Sequence, residues 1–368
     1  MILANKYRPK KLDDIIGQEV PVRIIRNSFL NNNLHHFYIF DSSSPGVSKT
    51  TLARVMAMME NCNNLKNKID PCGECSICKS IYSGKSSDII ELDAAKNRSV
   101  DDIRKISEAI AHGPLECKTR YVIIDEAHSL TGIAADATLK MTEEPPKNTR
   151  FIFCTTKKEK MIDTTISRSI DLSFSRISVK DISDNLKKIC LLESISIDEE
   201  SAHLIARKSK GSIRNSISYL EKVNQYCNYN ILIEEAKRVF NDLDDDVFYE
   251  IIDGVINKNP KKCIEIIKKS SNSNNSEKIL EGLEEYLNKV LIVKICKNSS
   301  NELLELTQDE IVKIQHQATN IKPVVLSKIH GLLVEVRRGA MLNMDLSFLL
   351  ERWCLDACVE YVRLTKSS

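Results

Sequence analysis

The chain has 368 residues, 42% of them hydrophobic, which is enough for two or three compact domains that each bury a core. Lys and Arg number 53 against 51 Asp and Glu, a net charge of +2 that neither demands nor excludes nucleic acid and leaves any such contact to local patches or helix N-termini. No apolar run reaches membrane-spanning length and no signal peptide is recognisable, so the expectation is a cytoplasmic protein with no membrane partner.

Taken in chain order, residues 36–40 (His-Phe-Tyr-Ile-Phe) read as a short buried strand, followed by a polar, turn-rich loop and a helix over about 50–60. Further strands are expected at 88–92, at 121–125 and at 150–155, with helical patterns between them, such as 135–144. Strand, loop and helix in repetition predict an α/β core: a parallel sheet with helices on both faces. Beyond about residue 178 the strand signal fades. Residues 179–240 read as a small helical bundle, and 241–368 as further amphipathic helices broken by the polar loop at 270–276. The expected domains are therefore 1–178, 179–240 and 241–368.

The loop after the first strand reads Ser43, Ser44, Pro45, Gly46, Val47, Ser48, Lys49, Thr50 and then Thr51. It fits the phosphate-loop pattern G-x-x-x-x-G-K-S/T at Lys49 and Thr50, but serine stands at both outer glycine positions, 43 and 48. Such a loop needs backbone N–H groups turned toward phosphates, a lysine for their charge and a hydroxyl for Mg²⁺. Taken alone, a polar loop before a helix is the plainer reading.

A second motif bears on the choice. The apolar run ending Ile123-Ile124 is followed by Asp125 and Glu126. A hydrophobic strand ending in this pair suits Mg²⁺ binding by Asp125 and orientation or deprotonation of the attacking water by Glu126. The alternative is an acidic helix start favoured by the helix dipole. Two such motifs in the correct order on separate strands favour nucleotide chemistry.

Twelve cysteines are present, eight of them scattered, mostly through apolar stretches, as small hydrophobes in a reducing compartment. The other four, Cys62, Cys72, Cys75 and Cys78, have the spacing C-x9-C-x2-C-x2-C. Four thiolates at short spacing satisfy tetrahedral Zn²⁺, and a full protein ligand set makes the site structural. A redox role for the C-x-x-C pair is the rival reading.

A cysteine module between a phosphate-loop helix and an Asp-Glu strand resembles the AAA+ ATPase core of the bacterial DNA polymerase III clamp-loader gamma/tau subunits, and of their delta-prime relatives. Other stretches carry the resemblance. Lys6-Tyr7-Arg8-Pro9 followed by Ile15-Ile16-Gly17-Gln18 is similar to the family's adenine-contacting segment. Glu91 to Arg98, followed by Val100 to Arg104, is similar to its second-strand signature, and Leu139 to Pro146 to its helix and proline stop after the Asp-Glu pair. The resemblance implies an AAA+ core at 1–178 with the zinc module at 62–78, a helical lid and an all-α collar for oligomerisation. It implies ATP, Mg²⁺ and Zn²⁺ as cofactors, Thr156 as the sensor of water or γ-phosphate, and Arg214 of Gly211-Ser212-Ile213-Arg214 as a sensor in cis. Arg168 of Ser167-Arg168-Ser169 would be an arginine finger reaching a neighbouring subunit's ATP, although serine replaces the family's cysteine at 169.

The implied function is a hetero-oligomeric clamp-loader subunit of the DNA polymerase III holoenzyme. It would use ATP binding and hydrolysis to load a sliding clamp on primer-template DNA held by its backbone. Contacts made through the family's longer tau tail are not expected. Ser43, Pro45 and Ser48 depart from the family's loop, so weakened nucleotide binding with slow or absent hydrolysis is expected. Two alternatives stand beside this: a non-hydrolysing, delta-prime-like subunit that donates Arg168, and a scaffold contributing only helices and the cysteine module.

Overall fold

The structure is a computed structural model that describes residues 3–96, 99–240, 245–270, 276–296 and 308–366. Asn97 and Arg98 of the second-strand signature, and residues 271–275 of the expected polar loop, lie outside the described residues. The chain divides into two compact units, Met1–Ala236 and Lys237–Ser368.

The first unit is built on five parallel strands: β1 Phe37–Ser42, β2 Ile89–Asp93, β3 Arg120–Asp125, β4 Thr149–Thr155 and β5 Ile170–Phe174. Their order is β2-β3-β4-β1-β5, so β1 lies between β4 and β5, with Phe40 opposite Cys154 on one side and Leu172 on the other. The inner strands are continuous apolar runs because both faces are covered. Successive side chains alternate between two cores. Tyr38, Phe40, Tyr121 and Ile123 pack with Leu52 and Met56 of α3 (Lys49–Asn61). Phe37, Ile39, Val122 and Ile124 pack on the opposite face with Ile103 and Ile106 of α5 (Val100–Ala111) and Met141 of α6 (Gly132–Glu143). In such a sheet the ligand site forms beyond the carboxyl ends of the strands, where β1, β3 and β4 here deliver their loops.

The remaining elements that matter to the site are helices. Helix α1 (Leu3–Lys6) and α2 (Glu19–Leu30) precede β1, α4 (Ser76–Tyr82) follows α3, and α7 (Asp163–Ser167) precedes β5. After β5 come α8 (Val179–Leu192), α9 (Glu199–Lys208) and α10 (Ile213–Cys227). Each of these three starts on a side-chain cap: Ser178 accepts from Asp181 N–H, Asp198 from Ser201 N–H and Ser212 from Asn215 N–H. A two-residue parallel pair, Ser196–Ile197 with Asn230–Ile231, closes the group.

The second unit is helical throughout its described residues. It contains Asp245–Ile256, Pro260–Ser270, Ser276–Cys296, Gln308–Asn320, Pro323–Met341 and Leu346–Lys366. Its core centres on the fully buried Trp353, whose Nε1–H donates to the carbonyl of Ile329 at 3.2 Å. Among the described residues no helix is long and apolar enough to cross a membrane.

Candidate functional site

The loop joining β1 to α3 turns on two left-handed residues, Gly46 at φ +76° and Ser48 at φ +76°. Ser43 does not share this conformation. Only Ser48, of the two serines at glycine positions, therefore bears backbone strain, and its side chain makes no cap bond to α3. Lys49 opens α3 and is 6% exposed. Its Nζ donates to Ser42 Oγ at 2.5 Å and lies 3.5 Å from the Ser44 carbonyl. Burial pushes the Lys49 pKa down, against the Cys154 thiol and the Asp125 and Glu126 carboxylates, which push it up.

The acidic side of the site comes from β3. Asp125 ends the strand, and its Oδ2 accepts from Thr50 Oγ1 at 3.2 Å. A hydroxyl and a carboxylate so placed are a ready pair for a hard divalent cation beside phosphates. Glu126 follows at φ +50°, which turns its side chain off the strand line. Thr156, just past β4, donates its hydroxyl to Glu126 Oε2 at 3.0 Å. His128 Nδ1 lies 3.4 Å from the same oxygen and 3.0 Å from Thr155 Oγ1.

A cleft of about 290 Å³ runs between these groups. Gly46, Ser48, Lys49, Thr50 and Thr51 line it with Pro45, facing Asp125 and Glu126. Tyr7 and Arg8 line it from the N-terminal segment, and Arg214 from the start of α10. The Arg8 pKa is lowered, first by burial and then by the positive charges of Arg54 and Arg214. Part-buried Arg8 and exposed Arg214 share the cleft with buried Lys49, a set of cations that suits a polyanion. Tyr7 is held by its hydroxyl on Glu193 at 2.5 Å, which raises its pKa, as does burial.

The remaining expected residues lie elsewhere. Val47 is in the core, Ser43 is exposed, and neither they nor Ser44 line the cleft. Thr156 reaches the cleft only through Glu126. Arg168 is outside it, 41% exposed at the end of α7 and paired with Glu143 of α6. Two contacts had no local sequence signal. Arg176 Nε donates to Ser44 Oγ at 2.9 Å, and Ile213 N–H donates to the Gly46 carbonyl at 3.2 Å.

The four sulfur atoms of Cys62, Cys72, Cys75 and Cys78 lie within 4.8 Å of one another. Backbone N–H groups point at them: Cys72 N at Cys62 Sγ (3.2 Å), Cys75 N at Cys72 Sγ (3.3 Å) and Cys78 N at Cys75 Sγ (3.4 Å). Gly73 takes φ +73° in the turn between the first two ligands of this run. The N–H groups of Cys75 and Glu74 hold the Cys72 thiol down to about 6, whereas burial pushes that of Cys78 up. Thiols gathered this closely, with N–H donors aimed at sulfur, fit a tetrahedral zinc ion.

Residues 17–178 match the family model described as DNA polymerase III, delta subunit. DNA polymerase III subunit gamma of Buchnera aphidicola subsp. Acyrthosiphon pisum is 35% identical over 73% of this chain and 74% of its own length. The same subunit of Buchnera aphidicola subsp. Schizaphis graminum is 29% identical over 98% of this chain and 99% of its own. DNA polymerase III subunit tau of Escherichia coli is 29% identical over 73% of this chain and 42% of its own. Among solved structures, the Thermotoga maritima RuvB Holliday junction branch migration motor superposes with a TM-score of 0.51 at 17% identity, covering 85% of this chain and 90% of that one. That likeness is one of fold, the AAA+ arrangement. With the gamma relatives covering most of both lengths, the chain belongs to the DNA polymerase III gamma/tau subunit family.

Proposed function

We propose that this chain is a clamp-loader subunit of the DNA polymerase III holoenzyme, acting in the cytoplasm, that binds ATP in the cleft between Lys49 and Asp125. The observation that carries the reading is the Thr50–Asp125 hydrogen bond at 3.2 Å, with Lys49 and the left-handed loop beside it. Lys49 and the N-terminal amides of α3 would take the phosphate charge. Thr50 and Asp125 would hold Mg²⁺, which when bound neutralises charge on the phosphate oxygens. Glu126, steadied by Thr156, would orient the attacking water. Arg214 would read the nucleotide in cis. Exposed Arg168, outside its own cleft, is free to reach a neighbouring subunit's nucleotide once it leaves Glu143. Tyr7 and Arg8 would contact the nucleoside end.

On this reading residues 1–178 are the core, 179–240 the lid and 241–368 the collar. Four thiolates leave no open coordination position, so zinc at 62–78 is structural. The partners are other clamp-loader subunits, the sliding clamp and primer-template DNA. ATP acts by binding the clamp-gripping state better than the released one.

The test is DNA- and clamp-stimulated ATP hydrolysis with partner subunits, wild type against Lys49→Ala. Stimulated turnover lost in the variant supports a motor subunit. One observation favours the second reading, a delta-prime-like subunit acting through Arg168: Ser48 is strained where a glycine would be relaxed. Turnover that is unchanged by Lys49→Ala but lost on Arg168→Ala, with assembly intact in both variants, would establish that reading instead.

A further inference from the structure

The cysteine cluster and the nucleotide cleft meet through one side chain. Helix α4 is capped by the thiol of Cys75, carries Cys78 in its first turn and ends on Tyr82. The Tyr82 hydroxyl donates to the Asn5 carbonyl at 2.8 Å and lies 3.3 Å from that of Lys6. Lys10 Nζ stands over the Tyr82 ring, 4.5 Å from its centroid. The segment held in this way supplies Asn5, Tyr7, Arg8 and Pro9 to the cleft wall. Its other attachments are to the helices after the sheet: Leu3 N–H to Glu221 at 2.5 Å, and Lys6 and Tyr7 to Glu193.

Helix α4 has seven residues, a length that is not stable alone. Burial of Ile77, Cys78 and Ile81 anchors it on one side. Two of the four thiols sit at its start, so metal bound there would fix its position and direction. Cys78 and Tyr82 are four residues apart, one turn along the same face. A shift at the thiols is therefore passed along a short rod to the hydroxyl that holds Asn5.

We infer that metal occupancy of the cysteine cluster is coupled to nucleotide affinity, and that Tyr82 is the positioning residue that carries the coupling by fixing residues 5–9. The inference rests on the nucleotide reading above. It is reciprocal: if zinc raises ATP affinity, ATP raises zinc affinity by the same factor.

The experiment uses the full chain, zinc-loaded and after chelation, as wild type and as Tyr82→Phe. That substitution keeps the ring under Lys10 and removes only the hydroxyl. Zinc content, ATP affinity by calorimetry and amide hydrogen exchange over residues 3–9 are measured on each. The expected result is a loss of ATP affinity of about threefold to tenfold on chelation of the wild type, the range one hydrogen bond supports. Tyr82→Phe should show the same loss with its zinc intact, and chelation should then cost little more. Exchange over residues 3–9 should rise in step. Equal ATP affinity in Tyr82→Phe and wild type, or equal chelation losses in both, would overturn the inference. A wild type that bound no ATP would remove the nucleotide reading. Exchange would still decide the link: a zinc-dependent change in the wild type that vanishes in Tyr82→Phe upholds it, and unchanged exchange sinks it. Lys10→Ala, which leaves the hydroxyl bond in place, is expected to keep the coupling.

Discussion

Gly46 and Ser212 approach so closely that a Cβ built on Gly46 would lie 2.2 Å from the Ser212 hydroxyl oxygen. The Gly46 carbonyl also accepts from Ile213 N–H, so the phosphate loop and the start of α10 pack as one unit. Gly46→Ala would strain a φ of +76° and push α10 away together. The expected cost is about 1–3 kcal/mol of stability, with a loss of ATP affinity of about tenfold or more, because Arg214 moves with α10. Adding Ser212→Gly, which a helix cap tolerates, should recover part of the stability. Chemical denaturation and ATP titration of the single and double variants check both points, and no recovery in the double variant would disprove the contact.

Ser48 is a different case, because its strain can be relieved without a clash. An L-residue in the left-handed region costs about 1–2 kcal/mol, partly offset by the extra unfolded-state freedom of glycine. Ser48→Gly should therefore stabilise the protein by about 0.5–1 kcal/mol and raise ATP affinity. Ser43→Gly serves as the control: with no positive φ to relieve, it should stabilise nothing. Equal effects of the two substitutions in thermal melts would refute the account.

The contrast between these positions explains what the sequence could convey. Strands β1, β3 and β4 were legible because a buried central strand is a run of apolar residues, as in Phe37-Tyr38-Ile39-Phe40. Strand β5 was not, because Ile170-Asp171-Leu172-Ser173-Phe174 alternates apolar and polar residues and so offers no continuous apolar run, unlike the inner strands. In the cleft, Lys49 with Thr50 and Asp125 with Glu126 are neighbours in sequence, so each pair was legible as a local motif, and the two in order favoured nucleotide chemistry. Arg176 on Ser44, separated by 132 residues, and Tyr82 on Asn5, separated by 77, depend on how the chain returns on itself. No local pattern encodes such a contact.

Zinc content can be tested without nucleotide. Four sulfurs within 4.8 Å, with backbone N–H groups aimed at three of them, should retain about one zinc per chain through purification. Cys78→Ser should lower that stoichiometry and the melting temperature together, since Cys78 is buried in the core beside α3. Elemental analysis decides the first part. A correctly folded wild type without metal would contradict it.

The last prediction concerns stability at the opposite end of the sheet. Asp88 and Arg120 form an ion pair at 2.9 Å with side chains 0% and 5% exposed. Asp88 also accepts from the N–H groups of Leu115, Glu116 and Cys117, and Arg120 donates to the carbonyls of Ala109, His112 and Gly113. Burial alone would raise the Asp88 pKa, but these donors outweigh it and hold the carboxyl below its ordinary value. A depressed carboxylate stabilises the fold above its unfolded pKa, about 3.9, and that contribution is lost as pH falls through the lower folded value. Asp88→Asn should cost about 3–5 kcal/mol at neutral pH, because it leaves the buried Arg120 charge uncompensated. It should also flatten the acid limb of the stability curve below about pH 4. ATP affinity should not change, since neither residue lines the cleft. Urea unfolding across that pH range, wild type against Asp88→Asn, tests the assignment, and parallel acid limbs in the two proteins would show that Asp88 is not the group responsible.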